Sequence, residues 1–201
     1  MQISTNRRGQ VVTATLALIA FAAIAVAFHV GWLRDLDLAA SQLAGRERTA
    51  TGVAIASAVS DLMMLPVVTA VIAGTLLRRR RAGEAPLLIG APLGAFLSTE
   101  LLKLLIHRPR PAFAAVAIPS GFAFPSGHAS GAAATCLTLA LVLTQRHSAG
   151  RRAAWLALAV GIAVAVAASR VYLGVHYFSD VAAGLLWGTA WALLVTSRRL
   201  P

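Results

Sequence analysis

Acidic residues are scarce in this chain, seven Asp and Glu against eighteen Lys and Arg, and cysteine is nearly absent, with one in 201 residues. A lone thiol excludes an intramolecular disulfide, and Cys136, inside an apolar run, reads as packing. The few acids form no carboxylate array, and no Cys/His pairs stand at metal-ligand spacing, so neither a metal nor another cofactor is expected. There is no Ser/Pro linker, no low-complexity tail, no second compositional zone and no internal repeat. One integral domain over 1–201 follows, with short tails at about 1–10 and 197–201. Charge itself is sparse: charged side chains make up 12% of the chain and hydrophobic ones 58%, which excludes an ordinary soluble domain and points to a bilayer as the main solvent.

A spanning helix takes roughly 20 mostly apolar residues. Six such stretches stand near 11–30, 51–77, 86–106, 127–145, 153–172 and 177–196, predicting an all-α polytopic membrane protein of six helices. The basic then apolar start resembles a signal peptide, but the run is long enough to be a first span. A net charge of +11 would suggest nucleic acid in a soluble protein. Here the arginines sort by side of the membrane instead, and no nucleic-acid partner is expected. Arg7, Arg8, Arg78 to Arg81, Arg146, Arg151, Arg152, Arg198 and Arg199 flank one face if the helices alternate. Lys/Arg excess marks the cytoplasmic side, so both termini are expected inside, in a bacterial cytoplasmic membrane. In the first outer loop Arg34, Arg46 and Arg48 cancel against Asp35, Asp37 and Glu47. Lys103, Arg108, Arg110 and Arg170 remain, all on the outer face.

Those four cations lie in or beside three segments that carry the chemistry. They are K-L-L-I-H-R-P-R-P (Lys103 to Pro111), P-S-G-H (Pro125 to His128) and S-R-V-Y-L-G-V-H-Y-F-S-D (Ser169 to Asp180). Ionisable groups at membrane depth are costly and so mark function by default. In P-S-G-H, Ser126 is placed to cap the fourth helix, whose N-terminal N–H groups suit a phosphate oxygen. Gly127 lets a ligand approach the backbone, and His128 stands where an imidazolium can protonate a leaving oxygen. Taken alone, the tetrapeptide is equally a capping serine and an interfacial histidine. His176 and Asp180, four apart at a helix start, share one face, so the carboxylate can orient the imidazole for nucleophilic attack. Lys103, Arg110 and Arg170 supply positive charge for the equatorial oxygens of a transferring phosphoryl group. Snorkelling and headgroup contact explain each cation singly, but not their convergence with two histidines.

In order and spacing these segments resemble the signature of the type 2 phosphatidic acid phosphatase family, membrane lipid phosphatases related to vanadium-dependent haloperoxidases. The resemblance implies a six-helix, metal-independent phosphatase with its site at the outer ends of the third to sixth spans. It implies His176 as a nucleophile forming a phosphohistidine, Asp180 as its orienting partner, and His128 as the acid. Lys103, Arg110, Ser126, Gly127, Arg170 and Ser169 would bind phosphate. Phe178 departs from the proline common at that position in the family. Undecaprenyl diphosphate, phosphatidic acid and phosphatidylglycerol phosphate all suit a site at the membrane surface, and the outer position favours the polyprenyl carrier. A phosphotransferase would use the same phosphohistidine with another acceptor. A transporter would need a path between faces, and paired broken helices are not evident. The oligomeric state is not readable.

Beyond the segments, Glu100 lies one turn before Lys103 and is placed to position or neutralise it. His107 is near enough to join the site, Asp61 reads as an interhelical hydrogen-bonding group, and Tyr172 and Tyr177 flank the motifs. Trp32 and Trp155 suit the outer and inner aromatic belts, while Trp187 and Trp191 read as lipid-facing or packed. Gly90 with Gly94, Gly127 with Gly131 and Gly184 with Gly188 are spaced for close helix packing. Pro66 and Pro92 sit inside apolar runs.

Overall fold

The computed structural model describes residues 7–61, 74, 84–112, 114, 116 and 120–197. Among these residues the chain is all helical: α1 Arg7–His29, α2 Arg34–Arg46, α3 Ala50–Asp61, α4 Ala85–Ile106, α5 Gly127–Leu143, α6 Ala149–Tyr172 and α7 Phe178–Ser197. Four of them, α1, α4, α6 and α7, are long and apolar enough to cross a membrane. The 17-residue α5 is shorter and apolar, and much of it is buried. Of the second expected span, α3 and the helical Gly74 are described. Pro66, Arg78 to Arg81, Arg198 and Arg199 lie outside the described residues.

The unforeseen element is α2. Asp35 and Asp37 stand in its first turn and Arg46 in its last, matching the partial charges of a helix at both ends. Leu36 and Leu43 are exposed on it and Trp32, just before it, is the most exposed large apolar residue among the described residues, as befits a segment lying along an interface. α4 runs through Pro92 and stops at His107, whose backbone turns left-handed at φ 54° while its N–H closes on Lys103 O at 3.0 Å.

Close packing at small residues places the helices. At Gly184 a Cβ would lie 2.6 Å from the Ser126 carbonyl and 3.0 Å from Ala129 Cβ, and at Gly188 it would overlap the Ser130 carbonyl. α5 and α7 therefore meet backbone to backbone. Gly94 makes room in the same way for the Trp191 ring, whereas Gly90 and Gly131 face open space. Trp187 and Trp191 are packed rather than lipid-facing: both indole N–H groups donate to Ser98 Oγ, at 2.9 and 3.0 Å. α1 is built into the bundle. Gln10 donates to Thr196 at 3.4 Å near one end, and Phe21 packs on Trp187 and Phe124 further along. At the other end Phe28 stacks on Phe124, centroids 5.7 Å apart, just before the cis Phe124–Pro125 bond. Exposed Leu93, Phe96, Leu97, Leu101 and Leu104 leave α4 with an apolar outer surface.

These contacts set two ends to the bundle. The start of α1 with Arg7 and Arg8, and the α5–α6 connection with Arg146, Arg151 and Arg152, share one end. The three segments lie at the other.

Candidate active site

Where α4 and α6 finish and α5 and α7 begin, the three segments meet. α7 starts at Phe178, and two carboxylates rather than a proline secure that start. Tyr177 N–H donates to Asp180 Oδ2 at 2.8 Å, and Ser179 N–H to Asp37 Oδ1 at 2.9 Å. An acid reaching back from the third helical position to the N–H ahead of the helix is one half of a capping box. Asp180 is thus pinned by the helix it caps, fully buried.

His176 lies between Arg110 and Asp180. Arg110 Nη1 donates to His176 Nε2 at 3.1 Å and to Val175 O at 2.9 Å, and its Nε donates to Gly121 O at 3.1 Å. A guanidinium has donors only, so Nε2 is the lone-pair nitrogen and Nδ1 carries the proton. Nδ1 faces Asp180 Oδ2 at 3.5 Å, longer than a good hydrogen bond. Burial pushes the His176 imidazole below its ordinary pKa, Asp180 opposes that shift, and Arg110 and Arg170 reinforce it. The result is a neutral imidazole with its lone pair turned toward the cations.

The other groups close around it. His128, one residue into α5, lies within electrostatic range of Arg170, His176, Lys103 and Arg110. Ser126 occupies the N-cap position, but its hydroxyl makes no capping bond. Instead its N–H donates to Asp180 O at 3.0 Å, tying P-S-G-H to α7, and its buried Oγ has no hydrogen-bond partner. Gly127 sits against α4, where a Cβ would lie 3.5 Å from Lys103 Nζ and 3.7 Å from Glu100 Oε1. Glu100 accepts from Lys103 Nζ at 2.6 Å and is half-exposed, so it positions the lysine from the site's edge. Buried Arg170 donates through Nη1 to Ser60 Oγ at 2.6 Å, with Asp61 as an electrostatic neighbour, while its Nε is unpartnered. Among the described residues, no three or more His, Cys, Asp or Glu side chains gather as a metal-holding group.

Two expected members have other partners. The Ser169 hydroxyl donates to Val166 O of its own helix at 2.7 Å. His107 ends α4, its ring edge-on to Phe122 with centroids 4.5 Å apart. Tyr172 joins the α2–α3 connection, its hydroxyl donating to Glu47 O at 2.9 Å and its carbonyl accepting from Arg48 Nε at 2.7 Å.

A family model described as the PAP2 superfamily matches residues 85–200, more than half of the chain and all three segments. The chain belongs to the PAP2 superfamily. It is similar to phosphatidylglycerophosphatase B of Bacillus subtilis, 33% identical over 184 residues, covering 87% of this chain and 89% of that protein. It is also similar to decaprenylphosphoryl-5-phosphoribose phosphatase of Mycobacterium tuberculosis, 38% identical over 127 residues, 60% of this chain and 63% of that one. Among solved structures it resembles the transmembrane PAP2-type phosphatidylglycerolphosphate phosphatase from Bacillus subtilis. That match has a TM-score of 0.84 and 29% identity, covering 92% of this chain and 94% of the other. Aquifex aeolicus LpxE shares the fold, with a TM-score of 0.63 at 23% identity over 80% and 94% of the two chains. This PAP2 chain is accordingly an integral membrane phosphatase.

Two PAP2-site neighbours, Asp37 and Ser60, lie outside the three segments, and Arg108, inside the first, has partners that its place in the segment does not name. Asp37 does not average out against nearby arginines in a mixed loop. It is 2% exposed and ion-paired to Arg108 at 2.6 Å, and Arg108 in turn pairs with Asp180. The available signal was a helical one, acids at the start and arginine at the end of 34–46.

Proposed function

We propose that the chain hydrolyses a terminal phosphate from a membrane lipid without a metal ion, through a phosphohistidine on His176. The observation that carries this reading is the convergence of a lone-pair imidazole, a second histidine and three cations at one end of an apolar bundle. His176 Nε2 attacks phosphorus in line with the leaving oxygen, and the phosphorus–oxygen bond to the lipid breaks. His128 gives that oxygen its proton. Lys103, Arg110 and Arg170 hold the equatorial oxygens, and a phosphate dianion among them offsets their charge, letting His128 carry its proton. The unpartnered Ser126 hydroxyl and Arg170 Nε are donors suited to the same oxygens. Asp180 keeps the Nδ1 proton of His176 in place and balances the cation formed. Water, deprotonated by His128, then cleaves the phosphorus–nitrogen bond and releases phosphate.

We propose six spans with both termini inside and the site outside; the arginines at the opposite end of the bundle, with the positive-inside rule, support that orientation. For substrate, the names of the relatives suggest one chemistry: a phosphomonoester on a hydroxylated unit that is joined through phosphate to a lipid. Phosphatidylglycerol phosphate is the first such candidate, with phosphatidic acid and undecaprenyl diphosphate as comparisons. Phosphate release by the purified protein from these three lipids tests the reading. Release should fall by at least about 1,000-fold in His176→Ala. Equal release from that variant would refute it.

A further inference from the structure

Beneath the dyad lies a buried ion network that reaches α2. Arg108 is 6% exposed, its guanidinium sandwiched by the rings of Phe28 and Tyr177 at 4.1 and 4.3 Å. Nη2 donates to Asp37 Oδ2 at 2.6 Å, while Nη1 donates to Asp180 Oδ1 and to Ser179 Oγ, the latter at 2.7 Å. The Ser179 hydroxyl donates to Asp37 Oδ2 at 2.6 Å, and Ser179 N–H to Asp37 Oδ1 at 2.9 Å. Asp37 thus caps α7 from another helix, and Arg108 holds one carboxylate with each end of its fork. The geometry points to Asp37 and Arg108 as positioning residues that fix the place and charge of Asp180 behind the His176 nucleophile. This rests on the phosphatase reading above and deepens it.

Charge counting supports the assignment. Two carboxylates around one guanidinium leave a net charge of −1 beside His176, which matches the +1 that phosphohistidine formation puts on the ring. A fully buried dyad has little water to supply that balance. A single Asp180 with no arginine would face Asp37 as a like charge through Ser179. Burying Arg108 between two rings also explains why it is arginine: a lysine could neither stack nor span both acids. The network joins α2, at the interface, to the reacting centre. Other charged and titratable groups around His176 are Arg110, His128, Arg170 with Asp61 behind it, Lys103 with Glu100, and Tyr177. All of these stay constant in the test.

The test is the pH dependence of kcat/KM for phosphatidylglycerol phosphate in mixed micelles, in the intact chain and in Asp37→Asn, Arg108→Gln and the double variant. Asp37→Asn takes the network from −1 to 0 and should move the acid limb down by roughly half a pH unit. Arg108→Gln takes it to −2 and should move the limb up by roughly one unit. The double variant restores −1 and should titrate like the parent. Turnover should fall about 10- to 100-fold in the single variants while KM and vanadate inhibition hold within about twofold, since no phosphate ligand is touched. A purely structural role predicts unshifted limbs with losses that follow melting temperature, and that result overturns the proposal. If Arg108→Gln does not fold, Asp37→Asn against the double variant decides: equal downward shifts in both overturn it. Parent activity that survives His176→Ala would instead sink the phosphatase reading, and this inference with it.

Discussion

Adding one methyl group at Gly184 tests whether the close approach of α5 and α7 sets the reacting geometry. The Cβ of Gly184→Ala would lie 2.6 Å from the Ser126 carbonyl, 3.0 Å from Ala129 Cβ and 3.3 Å from Ser130 N, at the N-cap and first turn of α5 and two of them backbone. Ordinary contact begins near 3.5 Å, so the helices must part by roughly 1 Å at this level. No flexible side chain can absorb the shift. Ser126 and His128 ride on one helix, Asp180 on the other, and the Ser126 N–H to Asp180 O bond joins them at 3.0 Å. Overpacking of this kind costs about 1–3 kcal/mol, while a displacement near 1 Å at the reacting groups costs on the order of 100-fold in rate. The assay pairs a thermal melt with kcat for lipid phosphate. Gly131→Ala on the same α5 is the control, since nothing lies within 4 Å of its added Cβ. It should leave rate unchanged and stability equal or slightly higher. Full activity in Gly184→Ala at a parental melting temperature would refute the reasoning.

Because burial holds the His176 imidazole below its ordinary value, its lone pair survives into acid. The acid limb of kcat/KM should therefore fall below about 6.5, with activity present above it and lost as pH drops through the lowered pKa; a limb above 7 contradicts this placement. Ser60→Ala removes a 2.6 Å buried hydrogen bond to Arg170, and roughly 10- to 150-fold lower kcat/KM is expected if the usual 1.5–3 kcal/mol of such a bond is lost at the transition state. An unchanged value would show that Arg170 does not depend on it. Millimolar EDTA should leave turnover intact while vanadate competes with substrate, and loss in EDTA restored by magnesium would contradict a metal-free step. With Cys136 replaced by alanine, a cysteine placed at Ala112 should react with an impermeant thiol reagent on intact cells. Reaction only after lysis would reverse the proposed orientation.

Much of this was legible because the chemistry is concentrated in residue types that a bilayer does not tolerate casually. Helix starts expected at 86, 127 and 177 appear at 85, 127 and 178, since Pro86, Ser126 and Gly174 punctuate otherwise apolar chain. His128, His176, Lys103, Arg110 and Arg170 come together as their spacing on alternating helices requires. What could not be read is pairing over long range. Asp37 looked cancelled by the arginines of its own loop, yet its partner is Arg108, reached only once α1 and α2 fold back over the end of α4. Ser126 holds the N-cap position but not the capping bond, and its N–H donates to Asp180 O from α7. Ser169 looked free by motif and is occupied by its own helix at Val166 O. Each case turns on a partner that periodicity cannot name.

The apolar outer surface of α4, from Leu93 to Leu104, runs up to the level of Lys103 and Glu100 at its site end. On the function proposed above, a lipid sliding along that surface would bring its headgroup to the cations without leaving the sheet of its neighbours. Encounter is then a two-dimensional diffusion, and the concentration that matters is the mole fraction of substrate in the membrane. Diluting the bilayer with inert lipid should slow the enzyme at constant bulk substrate, whereas diluting the whole suspension should not. The catalyst responds to the composition of the membrane it sits in.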